Sequence, residues 1–441
     1  MENKTNRPAA KTGRTSAPPR FPVKAKRVLV PALFLAAGLL LPGTGAAAQN
    51  ISGVLDTRLS LAALSGEGDS FSWGLEEAAN VRLQAKPGDR AAFYGAVNLI
   101  AAAGSFARDA AGMAALNYAA AEAEGGGLAP GAFVSGKNYL GALELERLYF
   151  RISGDYTGFD AGLMRIAFGY GQAWGPSDFL NPRNPLLPDA RPRAVLGAAF
   201  MAYPLDDAKV QVFGAAPKNP LNSDGGGLIF GLSAENHWER LSAQLLCSYE
   251  TPQENYAASA ADPVGNGGGK YGVHRWGFSL KADFAIGLLA DALFTWNPAT
   301  GAGAEGLSAG SGFDYSFAGG KCYVLAEYLF SGLESSTSKA SDPLTGFSNR
   351  NYLYTLFRYS IDDYSSASLG CIASFDDVSF TPIAGFEREI FQGFTLSLSA
   401  QVPLDRDALT GNNSRGELGP LPPGASQGNR FIFTAKARLR F

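Results

Sequence analysis

Three arginines, Arg147, Arg151 and Arg165, stand in segments where apolar and polar residues alternate. If Leu148, Phe150 and Ile152 turn outward, Arg147, Tyr149 and Arg151 turn inward, because successive strand side chains point to opposite faces. The same parity with Met164, Ile166 and Phe168 outward turns Arg165 inward. A guanidinium is planar and binds carboxylate or phosphate bidentately, so the chemistry expected is recognition of polar or anionic groups. Further polar residues follow in a proline-rich stretch: Trp174, Asp178, Asn181, Arg183, Arg191 and Arg193. Four acids, Asp283, Asp291, Asp314 and Glu327, recur on inward positions of later segments. In a ring of strands these acids fall on the wall opposite the arginines, and opposed rows of charge lay a transverse field that favours polar solutes. The competing arrangement pairs each Arg with an acid on a neighbouring strand.

Bond-breaking chemistry finds little material. The two histidines, His237 and His274, lie in no nucleophile motif, and Cys247, Cys322 and Cys371 are far apart on the apolar faces of their segments. Glycine-rich stretches at 125–127, 225–227 and 267–269 precede no helix, so they are read as flexible loops rather than phosphate cradles. No enzyme activity, metal or cofactor is expected.

The positioning elements are strands. From Asn429 to Phe441 the chain alternates strictly, with Phe431, Phe433, Ala435, Ala437, Leu439 and Phe441 on one face and Arg430, Ile432, Thr434, Lys436, Arg438 and Arg440 on the other. Similar alternation runs through Phe394–Val402, Ser366–Phe375 and Arg275–Phe284, while 194–203 is apolar or small on both faces. Tight turns are expected near 86–89, 154–158, 205–207, 237–239, 285–287, 318–320, 361–364 and 387–392. Long Gly, Ser, Asn and Pro-rich gaps fall between them, at 103–141, 171–193, 217–226, 251–270, 298–309, 332–351 and 403–427. This alternation of connections is that of a membrane barrel, with short turns at the periplasmic end and long loops outside. Backbone exposed to hydrocarbon must pair on both edges, so the expected fold is all-β: a closed antiparallel transmembrane barrel of about eighteen strands, sixteen being the other count considered, around a wet lumen. Trp73, Trp238, Trp276, Trp296, Tyr249, Tyr352 and Tyr359 are candidates for its aromatic girdles.

The start of the chain fits this class. Residues 1–27 carry eight Lys/Arg and one acid, 28–41 are mostly apolar, and Ala46-Ala47-Ala48 suits a small-residue cleavage site. A signal peptide over 1–48 is expected, with the barrel over 49–441. Of 37 basic and 40 acidic residues, 29 and 39 then remain. That acidic balance argues against nucleic acid as a partner.

The terminal strand ending in Phe441 resembles the last strand of bacterial outer-membrane barrels, and the resemblance implies outer-membrane lipid and the barrel assembly machinery as partners. The run GYGQAWGPSDFLNP from Gly169, with Arg165 before it, resembles a segment of the porin and alginate-export-like group, matching at Arg165, Trp174, Gly175, Asp178, Asn181 and Pro182. The function expected is an outer-membrane, porin-like channel for small hydrophilic, including anionic, solutes, with 170–193 folded inward as its constriction. The alternatives are a structural or adhesive barrel with a blocked pore and, less favoured, a barrel enzyme.

Overall fold

The computed structural model describes residues 48–65, 70–104, 131–135, 139–181, 183, 185, 194–216, 227–252, 271–298, 306–332, 349–376, 378–404 and 429–441. The leader lies outside them. The strands are β1 (Ala48–Ser65), β2 (Ser70–Gly88), β3 (Ala91–Gly104), β4 (Gly131–Ser135), β5 (Tyr139–Ser153), β6 (Thr157–Met164), β7 (Val195–Leu205), β8 (Ala208–Ala216), β9 (Ile229–Trp238) and β10 (Leu241–Glu250). There follow β11 (Val273–Asp283), β12 (Gly287–Trp296), β13 (Leu307–Phe317), β14 (Cys322–Ser331), β15 (Asn351–Ser360), β16 (Ser365–Ser374), β17 (Ser379–Phe391), β18 (Phe394–Gln401) and β19 (Asn429–Arg440). All pair antiparallel with their neighbours, and β1 pairs with both β2 and β19, so the sheet closes. Of the nineteen strands, β4 is a short piece lying on β5 alone, which leaves eighteen in the ring.

The eight short connections, 89–90, 154–156, 206–207, 239–240, 284–286, 318–321, 361–364 and 392–393, all lie at one end of the barrel and each overlaps a turn expected from sequence, although 86–88, 237–238 and 387–391 of those expected turns are strand. At the opposite end two connections, 66–69 and 375–378, are also short; neither has the Gly/Pro-rich length that made the others stand out. The final residue joins the seam, since Gly53 N donates to Phe441 O at 2.7 Å and Phe441 N donates to Gly53 O at 3.1 Å.

Side-chain parity sorts the surface. Leu55, Leu59, Leu99, Phe200, Val212, Leu245, Phe278, Leu288, Leu369 and Leu398 stand exposed on the outer wall, whereas Asn80, Ser233, Gln244, Ser279 and Asp291 are buried on the inner one. Trp73, Trp238, Trp276, Tyr249 and Tyr359 are exposed, as girdle residues should be. Tyr352 departs from this set: it is inward-facing and only 1% exposed.

Two local departures from regular alternation shape the inner wall. A bulge in the β3–β5 pairing between Ala96 and Val97 adds a residue to β5, so Leu145 and Leu148 both face outward while Glu146 and Arg147 both face inward. Unbroken alternation from Leu148 would have sent Glu144 and Glu146 into lipid. The second departure is at β6. Its register places Phe159, Ala161 and Leu163 outward and Met164 opposite Val195 on the inner side. The expected outward orientation of Met164, Ile166 and Phe168 is therefore reversed: all three are buried in an interior cluster. The chain leaves the wall after Met164, and β4 occupies the stretch of the β5 edge, Leu140–Glu144, beyond the β6 pairing.

Candidate functional site: a loop seated on the inner wall

The chain beyond Met164 is seated by two kinds of contact, apolar and ionic. Met164, Ile166, Phe168 and Leu180 pack on the inward side chains Val195, Ala199, Phe213, Ala215, Ile229 and Leu246 of β7 to β10. Phe168 lies 5.1 Å from Phe213 and 6.0 Å from Phe179, ring to ring, and the Arg275 guanidinium sits 4.9 Å over Phe179. Apolar groups facing a wet lumen would be costly, so an inner wall of this composition needs a cover. Further round the barrel, Trp174 packs against Tyr352 at 5.8 Å, in a cluster with Ala173 and Ile372.

Between these apolar anchors the loop backbone spends its N–H groups on acceptors of the wall. Gly169 N donates to Gln244 Oε1 at 2.6 Å and Tyr170 N to Ser279 Oγ at 3.0 Å. Gln172 N, Ala173 N and Trp174 N converge on the Glu327 carboxylate at 2.7, 3.0 and 2.9 Å. Ser177 N donates to Asp291 Oδ1 at 3.1 Å. Successive backbone N–H groups form a cradle for an anion; here the anion is a side chain of the barrel. Both acids are 2% exposed, so they hold the loop and present no carboxylate to the open lumen.

The loop is also braced from within. Asp178 N donates to Gly175 O and Asn181 N to Asp178 O, both at 2.9 Å, and Asn181 Nδ2 donates to Ile166 O at 2.5 Å. Arg183 donates to Gly171 O. Asp178 is wholly buried. Burial pushes its carboxyl up to about 7, against the downward pull of the Asn181 amide, the Phe168 N–H, Arg165 and Arg183. Arg165 NH2 lies 3.9 Å from Asp178 Oδ2, so Arg165 reaches the inner side from the loop rather than from a strand. Tyr170 OH donates to Glu235 at 2.9 Å, and burial together with that carboxylate raises its pKa.

The remaining expected site residues divide cleanly. Arg151 forms a bidentate pair with Asp160, its register partner on β6, at 2.8 and 2.7 Å, beside the stacked Tyr94 and Tyr149 rings. Arg147 lies 3.6 Å from Glu146, and Asp283 pairs with Lys281 at 2.9 Å. Of these, the Arg151–Asp160 pair alone joins neighbouring strands; Arg147 and Asp283 meet partners on their own strands, β5 and β11. Asp314 meets the Gln172 amide at 3.4 Å. Arg191 and Arg193 lie outside the described residues. Sequence reasoning missed Gly169, Tyr170, Gln172, Ser177, Gln244 and Ser279. Of these Gly169 is explained by its backbone, whose φ of 75° favours a residue without a Cβ; the others carry no sequence pattern that marks them.

The β9–β10 hairpin also gathers His237, 2.8 Å from Ser242 Oγ and 3.4 Å from Glu235. This resembles a Ser-His-acid set in composition only. Glu235 is held by Lys209 at 2.7 Å and by Tyr170 at 2.9 Å.

No protein-family model and no curated protein matches the sequence. Similar solved structures include OccAB4 of Acinetobacter baumannii, at 9% identity and TM-score 0.48 over 89% of this chain and 98% of that one. Another is OpdQ of Pseudomonas aeruginosa, at 9% identity and TM-score 0.49 over 89% and 98%. An anion-selective porin from Comamonas acidovorans aligns at 11% identity and TM-score 0.41 over 90% and 100%. Closed on itself, even in strand number, oily outside and polar within, the chain is by its own architecture a β-barrel of the bacterial outer-membrane type.

Proposed function

We propose that the protein is an outer-membrane channel for small hydrophilic solutes, anionic ones included, with the loop from Gly169 to Arg183 as its constriction. The observation that carries this reading is the anchorage of the loop backbone to Glu327 and Asp291, which makes a fixed ledge inside the barrel. The part-exposed guanidiniums of Arg147 and Arg151 on β5 and of Arg165 at the start of the loop, each beside an acid, are the cationic groups that would replace part of an anion's hydration. On the same reading residues 1–48 are a cleaved leader and the terminal Phe441 is read by the assembly machinery. The test is single-channel conductance and reversal potential in planar bilayers for wild type and for Arg151→Ala/Arg165→Ala. The double variant should lose anion preference; unchanged conductance and selectivity would remove the constriction from the reading.

A blocked barrel is the second reading. It is favoured by the inner faces of β2, β3 and β5, where Asn80, Asn98 and Glu146 are almost wholly buried in a hydrogen-bonded set, Asn80 Nδ2 donating to Asn98 at 2.6 Å and to Glu146 at 2.5 Å. Absence of any conductance from correctly folded wild type would decide for it.

A further inference from the structure

The outer wall carries almost no charge. Among the described residues, the outward strand positions carry two charged side chains, Glu77 and Arg388. Arg388 pairs with Ser365 at the short-turn end, where water is close. Glu77 has no such excuse. It shares parity with the exposed Leu75 and Val81, while Glu76 and Ala78 turn inward, Glu76 toward Arg58. Glu77 stands four residues below the exposed Trp73 of β2, and its register partner Thr57 stands four residues above Gly53, which is bonded to Phe441 at the barrel rim. At about 3.3 Å per residue along a strand tilted by roughly 40°, each step of four is about 10 Å of height, which puts Glu77 near the middle of the hydrocarbon.

A carboxyl at that depth is costly when lipid surrounds it. Glu77 takes one hydrogen bond there, from Thr57 Oγ1 to Oε2 at 2.8 Å. The residues in register beside this pair are small: Ala437 next to Thr57, Ala101 next to Glu77, and Gly141 next to Ala101. Small side chains let another backbone approach closely, and a polar pair among them holds the contact.

We propose that this face of β19, β1, β2 and β3 is a self-association surface, occupied by a second copy of the chain. Copies inserted the same way carry the Thr57–Glu77 pair at the same depth, so a two-fold contact brings the two pairs level and shields both from lipid. The face is self-complementary, since it carries a hydroxyl and a carboxyl together, as an isologous interface requires. The inference needs the outward belt to lie in a membrane but is independent of whether the lumen conducts.

The test uses the full chain in its membrane. Single cysteines are placed at Leu55→Cys, beside the pair, and at Ala292→Cys, outward on β12 across the ring, each in a Cys247→Ala/Cys322→Ala/Cys371→Ala background. Oxidative cross-linking should give dimers at position 55 and none at 292. Ala101→Trp and Glu77→Ala should cut the position-55 dimer by about tenfold, with folding checked by migration of unboiled protein on gels. If a variant fails to fold, the cross-link map alone decides. No dimer at position 55, or equal dimer at both positions, overturns the proposal, whether lipid or another protein covers the face instead.

Discussion

The carboxylate of Glu327, on β14, accepts the backbone N–H of Trp174 at 2.9 Å, tying a loop that left the wall at β6 to a strand well round the ring. The N–H groups of Gln172 and Ala173 share the same acceptor. A hydrogen bond to a charged group contributes about 1.5–3 kcal/mol, and a Gln at this site would turn an amide donor toward backbone donors. Glu327→Gln should therefore release the segment around Trp174 while leaving the barrel closed. The expected record is a noisier channel with frequent conductance steps and faster proteolysis within 170–183; quiet wild-type-like traces would contradict the latch.

Asp178 makes the loop sensitive to pH. Its carboxyl titrates near 3.8 when unfolded and near 7 in place. Between those values the folded state keeps a proton that the unfolded state has lost, so stability falls as pH rises across that window and levels off above it. Thermal unfolding in detergent should give a lower midpoint at pH 8 than at pH 5. In Asp178→Asn, which carries no titrating proton, that difference should shrink. An equal pH difference in both proteins would exclude Asp178 as its source.

Gly169 is fixed by space as well as by its left-handed φ of 75°. A Cβ there would collide with Asp291 Oδ2 and Ser177 Oγ, the neighbourhood of the second carboxylate anchor. Gly169→Ala should cost about 1–3 kcal/mol of local strain, seen as increased hydrogen exchange at 169–177 with the strand ladder still protected. Uniform loss of protection would mean that the loop and the ring unfold together.

The seam offers a separate test of closure. A side chain at Gly53 would run into the Phe441 ring and the Asn80 carbonyl. Gly53→Val should weaken the β1–β19 junction, and the fast-migrating unboiled form on gels should disappear at a lower temperature than in wild type. Unchanged heat resistance would show that the last residue contributes little to the seam.

What could be read from the chain follows from which face each residue serves. The outer wall has one solvent, lipid, so Phe431, Ala435 and Leu439 or Phe394, Leu396 and Leu398 announce their parity, and the short turns fall where the apolar alternation breaks. The inner wall has two, water and the loop. Where the loop covers it, at Val195, Ala199, Phe213, Ile229 and Leu246, inward residues are as apolar as outward ones. Parity then disappears, which is why 194–203 read as ambiguous and why Met164, Ile166 and Phe168 were assigned to lipid. Tyr352 was misassigned for the same reason, its partner Trp174 being 178 positions earlier in sequence. Glu327 and Asp291 were correctly turned inward, but strand periodicity carries no sign that a carboxylate will be capped by a distant backbone.

That dependence on later residues makes the loop's seating conditional on the rest of the ring. The wall acceptors that take backbone N–H groups of Gly169 to Ser177 belong to β10, β11, β12 and β14, all of which leave the ribosome after the loop does. A sheet without β10 to β14 has none of these acceptors, so the loop can settle only once that part of the wall is in place. The interior is furnished by a piece of chain made early and anchored on a wall made later.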